Sequence, residues 1–308
     1  FDGIQSLERL AESTPIIVLS SQSDQAVATS AVEHGAQDYL IKGEYSPELL
    51  ARSIRYALER KRAQQALLRA ARYDDITGLY NRSGFTSLLD HTIERVRRNQ
   101  GSATLLYIDL DHFKHINDGL GHAAGDQLLK QVGIRLQNCV RSCDVVARLG
   151  GDEFTVLLEN VDGPEHICCV ADKILSTMKA PFHLNGFEVV VTPSIGAATY
   201  PQVAVDSASL LKSADTAMYR AKDSGRNTIE FYTDDMDAEV LQAFELECAL
   251  RQALVRQEFE LHYQPIIGGD GDVKAVEALL RWNWQSNTGH QTIQPETFIP
   301  VLEHTGLI

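Results

Sequence analysis

The order of apolar and polar positions divides the chain into three blocks. In the first, residues 1–58, the apolar run at 16–19 predicts a buried strand and residues 37–41, after Gly35, predict a second strand, with a segment of helical composition, residues 24–34, between them. Ser46-Pro47-Glu48 combines an N-cap residue, a proline at the first helical position and an early negative charge, which predicts a helix start. This alternation of strands and helices predicts a parallel sheet.

Residues 59–72 form a strongly polar segment that begins with Glu59-Arg60-Lys61-Arg62. Such a segment is typical of a solvated helical linker between domains. A second interpretation is a helix that pairs with its copy in a dimer, with Leu58, Leu68 and Ala71 near the contact. The apolar positions are too sparse to decide between the two interpretations.

The second block, residues 73–233, mixes strands and helices without strict alternation, which predicts a mixed or antiparallel sheet with helices packed on it. A buried strand at 103–110 ends in Asp109-Leu110-Asp111. Two further strands flank Gly150-Gly151-Asp152-Glu153, which indicates a hairpin because glycine adopts positive φ without strain. The remaining predicted elements are helices at 125–136 and 210–221 and a strand pair, 187–192 with 195–199.

The third block, residues 240–308, is predicted to open with a helix at 244–255. Strands are predicted at 258–264 and 273–280, joined by a turn at 270–272. The whole chain is therefore expected to be an α/β protein of several domains.

The composition excludes several classes of protein. Among the 308 residues, 28 basic and 42 acidic side chains give a formal net charge of −14. We expect no nucleic-acid or anionic-membrane partner, because both need a surplus of positive charge. No apolar run approaches the roughly 20 residues of a membrane helix. Five cysteines without metal-ligand spacing favour a reducing, cytoplasmic location.

Two acidic clusters are the strongest sign of chemistry. Asp109 and Asp111 lie two residues apart at the end of a strand, and Asp152 and Glu153 lie at the hairpin tip. If the strands are neighbours, the carboxylates meet and need a divalent metal ion. Oxygen ligands suit Mg²⁺ or Mn²⁺, and a pair of such ions serves in-line phosphoryl transfer. Each cluster alone also fits a solvated acidic turn after a strand.

The run Arg148-Leu149-Gly150-Gly151-Asp152-Glu153-Phe154 resembles the signature of the GGDEF family of diguanylate cyclases. Four more motifs extend the resemblance across the block, at residues 74–82, 109–118, 121–126 and 221–227. The resemblance implies a nucleotidyl-cyclase fold, with a palm-like mixed sheet and helices. It also implies that two GTP are condensed into cyclic di-GMP and two pyrophosphates by a homodimer, because each subunit holds one GTP.

The resemblance also implies roles for individual residues. The expected ligands of two Mg²⁺ (or Mn²⁺) ions per active site are Asp109, the Leu110 carbonyl, Asp152 and Glu153. Glu153 is expected to deprotonate the attacking ribose 3′-hydroxyl as well. Asn117 and Asp126 match residues that read the guanine edge, a task that suits an amide and a carboxylate. The residues expected near the phosphates are Phe113, Lys114, Lys222 and Arg226.

Arg141-Ser142-Cys143-Asp144 places an arginine and an aspartate three residues apart just before the hairpin strand. In the family this spacing marks a site where cyclic di-GMP, the product, inhibits the enzyme. The resemblance implies that role for Arg141 and Asp144. A surface ion pair between the two side chains is the alternative.

Residues 1–58 resemble the C-terminal part of a response-regulator receiver domain, which has a flavodoxin-like fold. Ser20 and Tyr39 match its switch residues, and Lys42 matches its phosphate-contacting lysine. The phospho-accepting aspartate would precede Phe1. A cognate histidine kinase is therefore expected as a partner of the intact receiver.

Residues 240–308 resemble the N-terminal start of an EAL phosphodiesterase, which folds as a (β/α) barrel. Glu277 matches a metal ligand of that family, and Arg281 matches a phosphate contact. The other metal ligands and the catalytic base are expected after Ile308.

The sequence therefore predicts a diguanylate cyclase in a response-regulator signalling protein. The alternative is a GTP-binding regulatory GGDEF module of a cyclic di-GMP phosphodiesterase whose catalytic part is missing from this sequence. The intact hairpin, with Asp109, Asn117 and Asp126, favours the cyclase.

Overall fold

The computed structural model describes residues 14–21, 25–161, 163–253, 256–269, 272–286 and 289–305. The chain divides into two compact units, Phe1–Pro193 and Ser194–Ile308. Asp24, in the first predicted helix, and Asp270-Gly271, in a predicted turn, lie outside the described residues. Across the described ranges, no helix is both long enough and apolar enough to span a bilayer.

The first unit begins with a small parallel α/β segment. Its elements are β1 (Ile17–Ser20), α1 (Gln25–Glu33), β2 (Asp38–Ile41) and α2 (Pro47–Arg72). The predicted parallel pairing of β1 with β2 is confirmed. The predicted helix start is also confirmed, because the Ser46 hydroxyl accepts a hydrogen bond from the Leu49 N–H at 3.2 Å. Helix α2 then runs unbroken through the predicted linker for 26 residues.

The rest of the first unit is built around three antiparallel strands. Its helices are α3 (Arg82–Arg98), α4 (Phe113–Leu120), α5 (His122–Cys139) and α6 (Pro164–Met178). Its strands are β3 (Ala103–Leu110), β4 (Val145–Gly150), β5 (Glu153–Glu159), β6 (Phe182–Leu184) and β7 (Phe187–Val189). Strand β5 pairs antiparallel with both β3 and β4. Every residue of β3 is buried, which accounts for its continuous apolar run.

The second unit contains two groups of strands. Its elements are β8 (Pro193–Tyr200), α7 (Ser207–Asp223), β9 (Ile229–Phe231), α8 (Asp234–Ala253), β10 (Phe259–Ile267), β11 (Val273–Ser286), β12 (Gly289–Ile293) and α9 (Pro295–Thr305). Strands β10, β11 and β12 form an antiparallel sheet. Trp282 and Phe298 are fully buried there, with ring centroids 5.8 Å apart. The barrel expected for this segment remains a prediction.

One predicted strand pairing is wrong. The sequence pattern paired residues 187–192 with 195–199, whereas Phe187–Val189 pairs with Phe182–Leu184. The physical reason is the two-residue loop Asn185-Gly186, in which both residues have positive φ (50° and 89°) and so close a tight hairpin. Strand β8 instead pairs in parallel with β9.

Candidate functional site

The loop between β4 and β5 places the acidic residues of the site. The predicted hairpin is confirmed, with Gly150 opposite Glu153 and only Gly151-Asp152 between them. Gly150 has φ +148° and Gly151 has φ +52°, conformations that favour glycine. The strand register also shifts between Arg148 and Gly150, so the backbone bends just before the loop.

One residue of each acidic cluster meets the other across β3 and β5. Asp109 lies directly opposite Glu153 in the antiparallel register of these strands. Side chains of directly opposed residues extend from the same face of a sheet, with Cβ atoms about 4.5–5.5 Å apart. Asp152 lies in the adjoining loop and is half-buried. The strand neighbourhood on which the metal-site hypothesis depends is therefore present.

Asp109 and Asp111 are both buried, and the structure distinguishes them. The Asp111 N–H donates to the Thr192 carbonyl at 2.8 Å, and the Thr192 hydroxyl donates to Asp111 Oδ2 at 2.6 Å. Thr192 thus engages Asp111 through both its backbone and its carboxylate. Asp111 is best described as a residue that fixes the end of β3.

Arg82, the first residue of α3, forms an ion pair with Glu153. Its Nη2 lies 3.1 Å from Glu153 Oε2, and its Nε donates to the Leu149 carbonyl at 3.3 Å. The arginine side chain is 63% exposed, so the ion pair contributes little stability and can exchange for another partner of Glu153. Sequence reasoning assigned no role to Arg82, because only the fold brings residues 82 and 153 together.

Arg148 supports the loop from inside the protein. Its Nε and Nη2 donate to the Gly151 carbonyl at 3.0 and 2.8 Å, while Nη1 lies 2.8 Å from Asp74 Oδ2. Burial raises the pKa of Asp74, but hydrogen bonds from Thr77 and the charge of Arg148 outweigh that effect, so the pKa lies below its ordinary value. Arg148 therefore ties the loop tip to the segment before α3.

The acidic residues present fit a divalent cation. Asp109 and Glu153 supply carboxylates, and the Leu110 carbonyl follows on the same strand, which gives the oxygen donors that Mg²⁺ prefers. Within the described ranges, no three His, Cys, Asp or Glu side chains cluster as a complete metal site. Backbone oxygen and the phosphates of a bound nucleotide would have to complete the coordination of Mg²⁺.

The predicted base-reading residues lie on the helical hairpin of α4 and α5. Gly121, with φ +83°, joins the two helices and donates to the Asn117 carbonyl at 2.9 Å. Asn117 is half-buried and Asp126 is exposed. In the described part of the chain, neither the Asn117 carboxamide nor the Asp126 carboxylate has a hydrogen-bond partner. Both groups are therefore available to a ligand.

The residues expected near the phosphates fall into two sets. Phe113 is buried and Lys114 is exposed, both in the first turn of α4. Lys222 lies in the last turn of α7, and Arg226 follows it with φ +64° and an N–H that donates to the Ala221 carbonyl at 3.0 Å. Lys222 and Arg226 belong to the second unit, and their phosphate role stays a prediction.

Arg141 and Asp144 do not form the surface ion pair that was the alternative interpretation. Asp144 Oδ2 accepts a hydrogen bond from the backbone N–H of Arg141 at 2.9 Å. The Asp144 carboxylate thus fixes the turn. The Arg141 guanidinium forms no ion pair with the described residues and is exposed to solvent.

Glu277 and Arg281 lie on β11 of the second unit. Glu277 is exposed and stands opposite Gln264 in the register of β10 and β11. Arg281 is half-buried, and its Nη1 donates to the Leu280 carbonyl at 2.9 Å. The two residues are four positions apart on one strand and so share a face of the sheet.

Comparison with protein families gives two matches. The model described as "Diguanylate cyclase, GGDEF domain" matches residues 71–228. The EAL domain model matches residues 247–308.

Among curated proteins, cyclic di-GMP phosphodiesterase NbdA of Pseudomonas aeruginosa is 40% identical over 251 residues, which cover 80% of this chain and 31% of NbdA. MucR of the same organism, a bifunctional diguanylate cyclase/cyclic di-GMP phosphodiesterase, is 38% identical over 270 residues, covering 87% and 39% of the two chains. The chain thus spans about a third of the length of these relatives.

The solved structures that resemble the chain include two GGDEF domains. The GGDEF domain of TpbB (also YfiN) from Pseudomonas aeruginosa is 39% identical, with a TM-score of 0.53, covering 55% of this chain and 99% of that one. The coiled coil and GGDEF domain of DgcB from Caulobacter crescentus, in complex with c-di-GMP, is 25% identical, with a TM-score of 0.53 and coverage of 59% and 96%. The mixed α/β arrangement matches that of solved GGDEF domains.

Proposed function

The chain belongs to the GGDEF domain family and carries part of an EAL domain, and on that premise we propose that it is a diguanylate cyclase. The observation that carries the proposal is the register that sets Asp109 opposite Glu153 beside the Gly150-Gly151 loop. Adjacent carboxylates favour a divalent cation, and glycines let a phosphate approach the backbone closely. These are the parts that phosphoryl transfer between nucleotides needs.

The reaction forms two phosphodiester bonds between two GTP molecules. In each half, the 3′-oxygen of one GTP forms a bond to the α-phosphorus of the other, and the bond to pyrophosphate breaks. Glu153 takes the proton of the 3′-hydroxyl, while Asn117 and Asp126 orient the guanine. Asp109, the Leu110 carbonyl, Asp152 and Glu153 would hold Mg²⁺, which when bound neutralises triphosphate charge. Lys114 adds positive charge for the phosphates. The family resemblance assigns the same role to Lys222 and Arg226.

A homodimer follows from this chemistry, because each subunit presents one GTP to the other. Helix α2 supports the proposal, since Leu67 and Leu68 are exposed on it. The parallel pair β1 and β2 supports the further proposal of a receiver domain, served in the intact signalling protein by a histidine kinase.

The second candidate function is a regulatory GTP-binding module. Two facts favour it: the EAL match, and the name of NbdA as a phosphodiesterase. In this reading the GGDEF domain binds GTP without condensing it, and cyclic di-GMP hydrolysis belongs to the complete protein.

The experiment that separates the two functions is product analysis after incubation of the full chain with GTP and Mg²⁺ over a range of protein concentrations. A cyclase is expected to release cyclic di-GMP and pyrophosphate, with a rate that rises more steeply than linearly with protein because the active form is a dimer. GTP binding without cyclic di-GMP, also in an artificially dimerised chain, would support the regulatory module instead.

Arg141→Ala is expected to relieve inhibition by the product. The exposed guanidinium is available for the guanine or phosphate of cyclic di-GMP, and loss of a charged hydrogen bond should raise the inhibition constant about tenfold or more. Initial rates at increasing cyclic di-GMP provide the measurement, with Ser142→Ala in the same exposed turn as the control. An unaltered inhibition curve would show that Arg141 and Asp144 do not form a product-binding site.

A further inference from the structure

We propose that Gly125 is a specificity-determining residue, which leaves room for the Asn117 carboxamide to face guanine beside Asp126. The inference rests on the proposed function, because it assumes that Asn117 reads the base. It adds a positioning residue that acts through Asn117 and contacts no substrate itself.

The backbone does not explain a glycine at position 125. Gly125 is buried in the first turns of α5, and its φ angle is not positive. Glycine inside a helix destabilises it relative to alanine, because glycine loses more conformational freedom on folding. A glycine at this position therefore has a reason outside its own backbone.

That reason is the side chain of Asn117. A Cβ atom built on Gly125 would overlap Asn117 Oδ1, and it would lie 3.1 Å from Asn117 Cγ and 3.3 Å from Phe113 Cζ. The carboxamide thus lies directly over the Gly125 Cα. Asp126 follows Gly125 in α5, so the carboxamide packs against the turn of helix that carries Asp126.

The hairpin backbone keeps this arrangement fixed. The Gly121 N–H donates to the Asn117 carbonyl at 2.9 Å, and the Gly125 N–H donates to the Gly121 carbonyl at 3.3 Å. The Asn117 carboxamide has no hydrogen-bond partner of its own in the described ranges. Its position is therefore set by the space above Gly125, and a methyl group there would turn it away.

An alanine at position 125 should separate binding from folding. The overlapping atom is the far end of a flexible side chain, so Asn117 can rotate and the helices can stay in place. Alanine also has the higher helix propensity. We expect Gly125→Ala to melt at the same temperature as the wild type or higher, while guanine recognition is lost.

The test measures binding of 3′-deoxy-GTP and 3′-deoxy-ATP, which lack the nucleophile and so do not condense. Gly125→Ala is expected to bind 3′-deoxy-GTP roughly tenfold to a hundredfold more weakly, with little change for the adenine analogue. The control is Gly119→Ala in α4, where an added Cβ meets nothing within 4 Å. It should keep wild-type affinity and wild-type preference.

A double-mutant cycle identifies the route of the effect. If Gly125 acts through Asn117, the variant Asn117→Ala/Gly125→Ala should bind no more weakly than Asn117→Ala alone. Additive losses, or a Gly125→Ala protein with wild-type guanine preference, would overturn the inference. Were Gly125→Ala to melt at a lower temperature, Asn117→Ala should restore stability, and failure to do so would also overturn it.

The same binding data distinguish failure of the proposed function from failure of the inference about Gly125. A wild-type protein that shows no preference for 3′-deoxy-GTP would contradict the proposed function and with it this inference. Guanine preference in the wild type, retained in Gly125→Ala, would overturn only the role of Gly125.

Discussion

Glu153→Gln is expected to reduce cyclic di-GMP synthesis by about a thousandfold, within the range that a positioned proton acceptor contributes. The amide keeps the shape of the side chain but cannot take the proton of the 3′-hydroxyl. Affinity for 3′-deoxy-GTP should change by only a fewfold, because the proposed guanine-reading residues lie on α4 and α5 and the other proposed phosphate ligands remain. Turnover and binding are measured on the same preparation.

The matched control is Glu159→Gln at the opposite end of β5. Glu159 is also a half-buried glutamate paired with an arginine, Arg95, but its place in the register lies opposite Ala103 instead of Asp109. The same substitution there should leave turnover within about twofold, since Glu159 lies at the far end of β5 from Glu153 and Asp109. Unchanged turnover in Glu153→Gln would show that Glu153 is not the proton acceptor.

Sequence patterns were most informative where local chemistry decides the structure. Ser46-Pro47 marked a helix start, and Gly150-Gly151 marked a tight hairpin, because capping and positive φ act within a few residues. Asn185-Gly186 is an equally local signal of a hairpin loop. It predicts the pairing of the strands on either side of it, which the pattern of residues 187–192 alone does not.

The contacts that support the site could not be predicted in this way. Arg82 and Glu153 are 71 positions apart, and Arg148 and Asp74 are 74 positions apart. Nothing in the period or spacing of a sequence indicates which distant carboxylate an arginine meets, since that is fixed by the packing of α3 against the strands. The family resemblance marked all four residues within motifs, but their pairing came from the structure.

Arg148→Met is expected to lower the free energy of unfolding by about 3 kcal/mol at neutral pH, the size typical of a broken buried ion pair. Methionine fills similar space, but it leaves the Gly151 carbonyl without its two donors and Asp74 without its cation. The loop tip should then become mobile, so kcat should fall as well. Urea denaturation, with turnover measured in parallel, tests both effects.

The pH dependence of this loss identifies Asp74 as the partner. The folded-state pKa of Asp74 is lowered, so its contribution is complete above the unfolded value of about 3.8 and is lost as pH falls through the folded value. The stability difference between wild type and Arg148→Met should therefore be constant at neutral pH and shrink below about pH 4.

Asp74→Asn should make stability less dependent on pH in the same acid range, and Asp75→Asn, at the neighbouring acidic residue, is the control. A difference that stays constant down to acid unfolding would mean that Arg148 stabilises the loop only through Gly151, because a link through Asp74 must titrate with it.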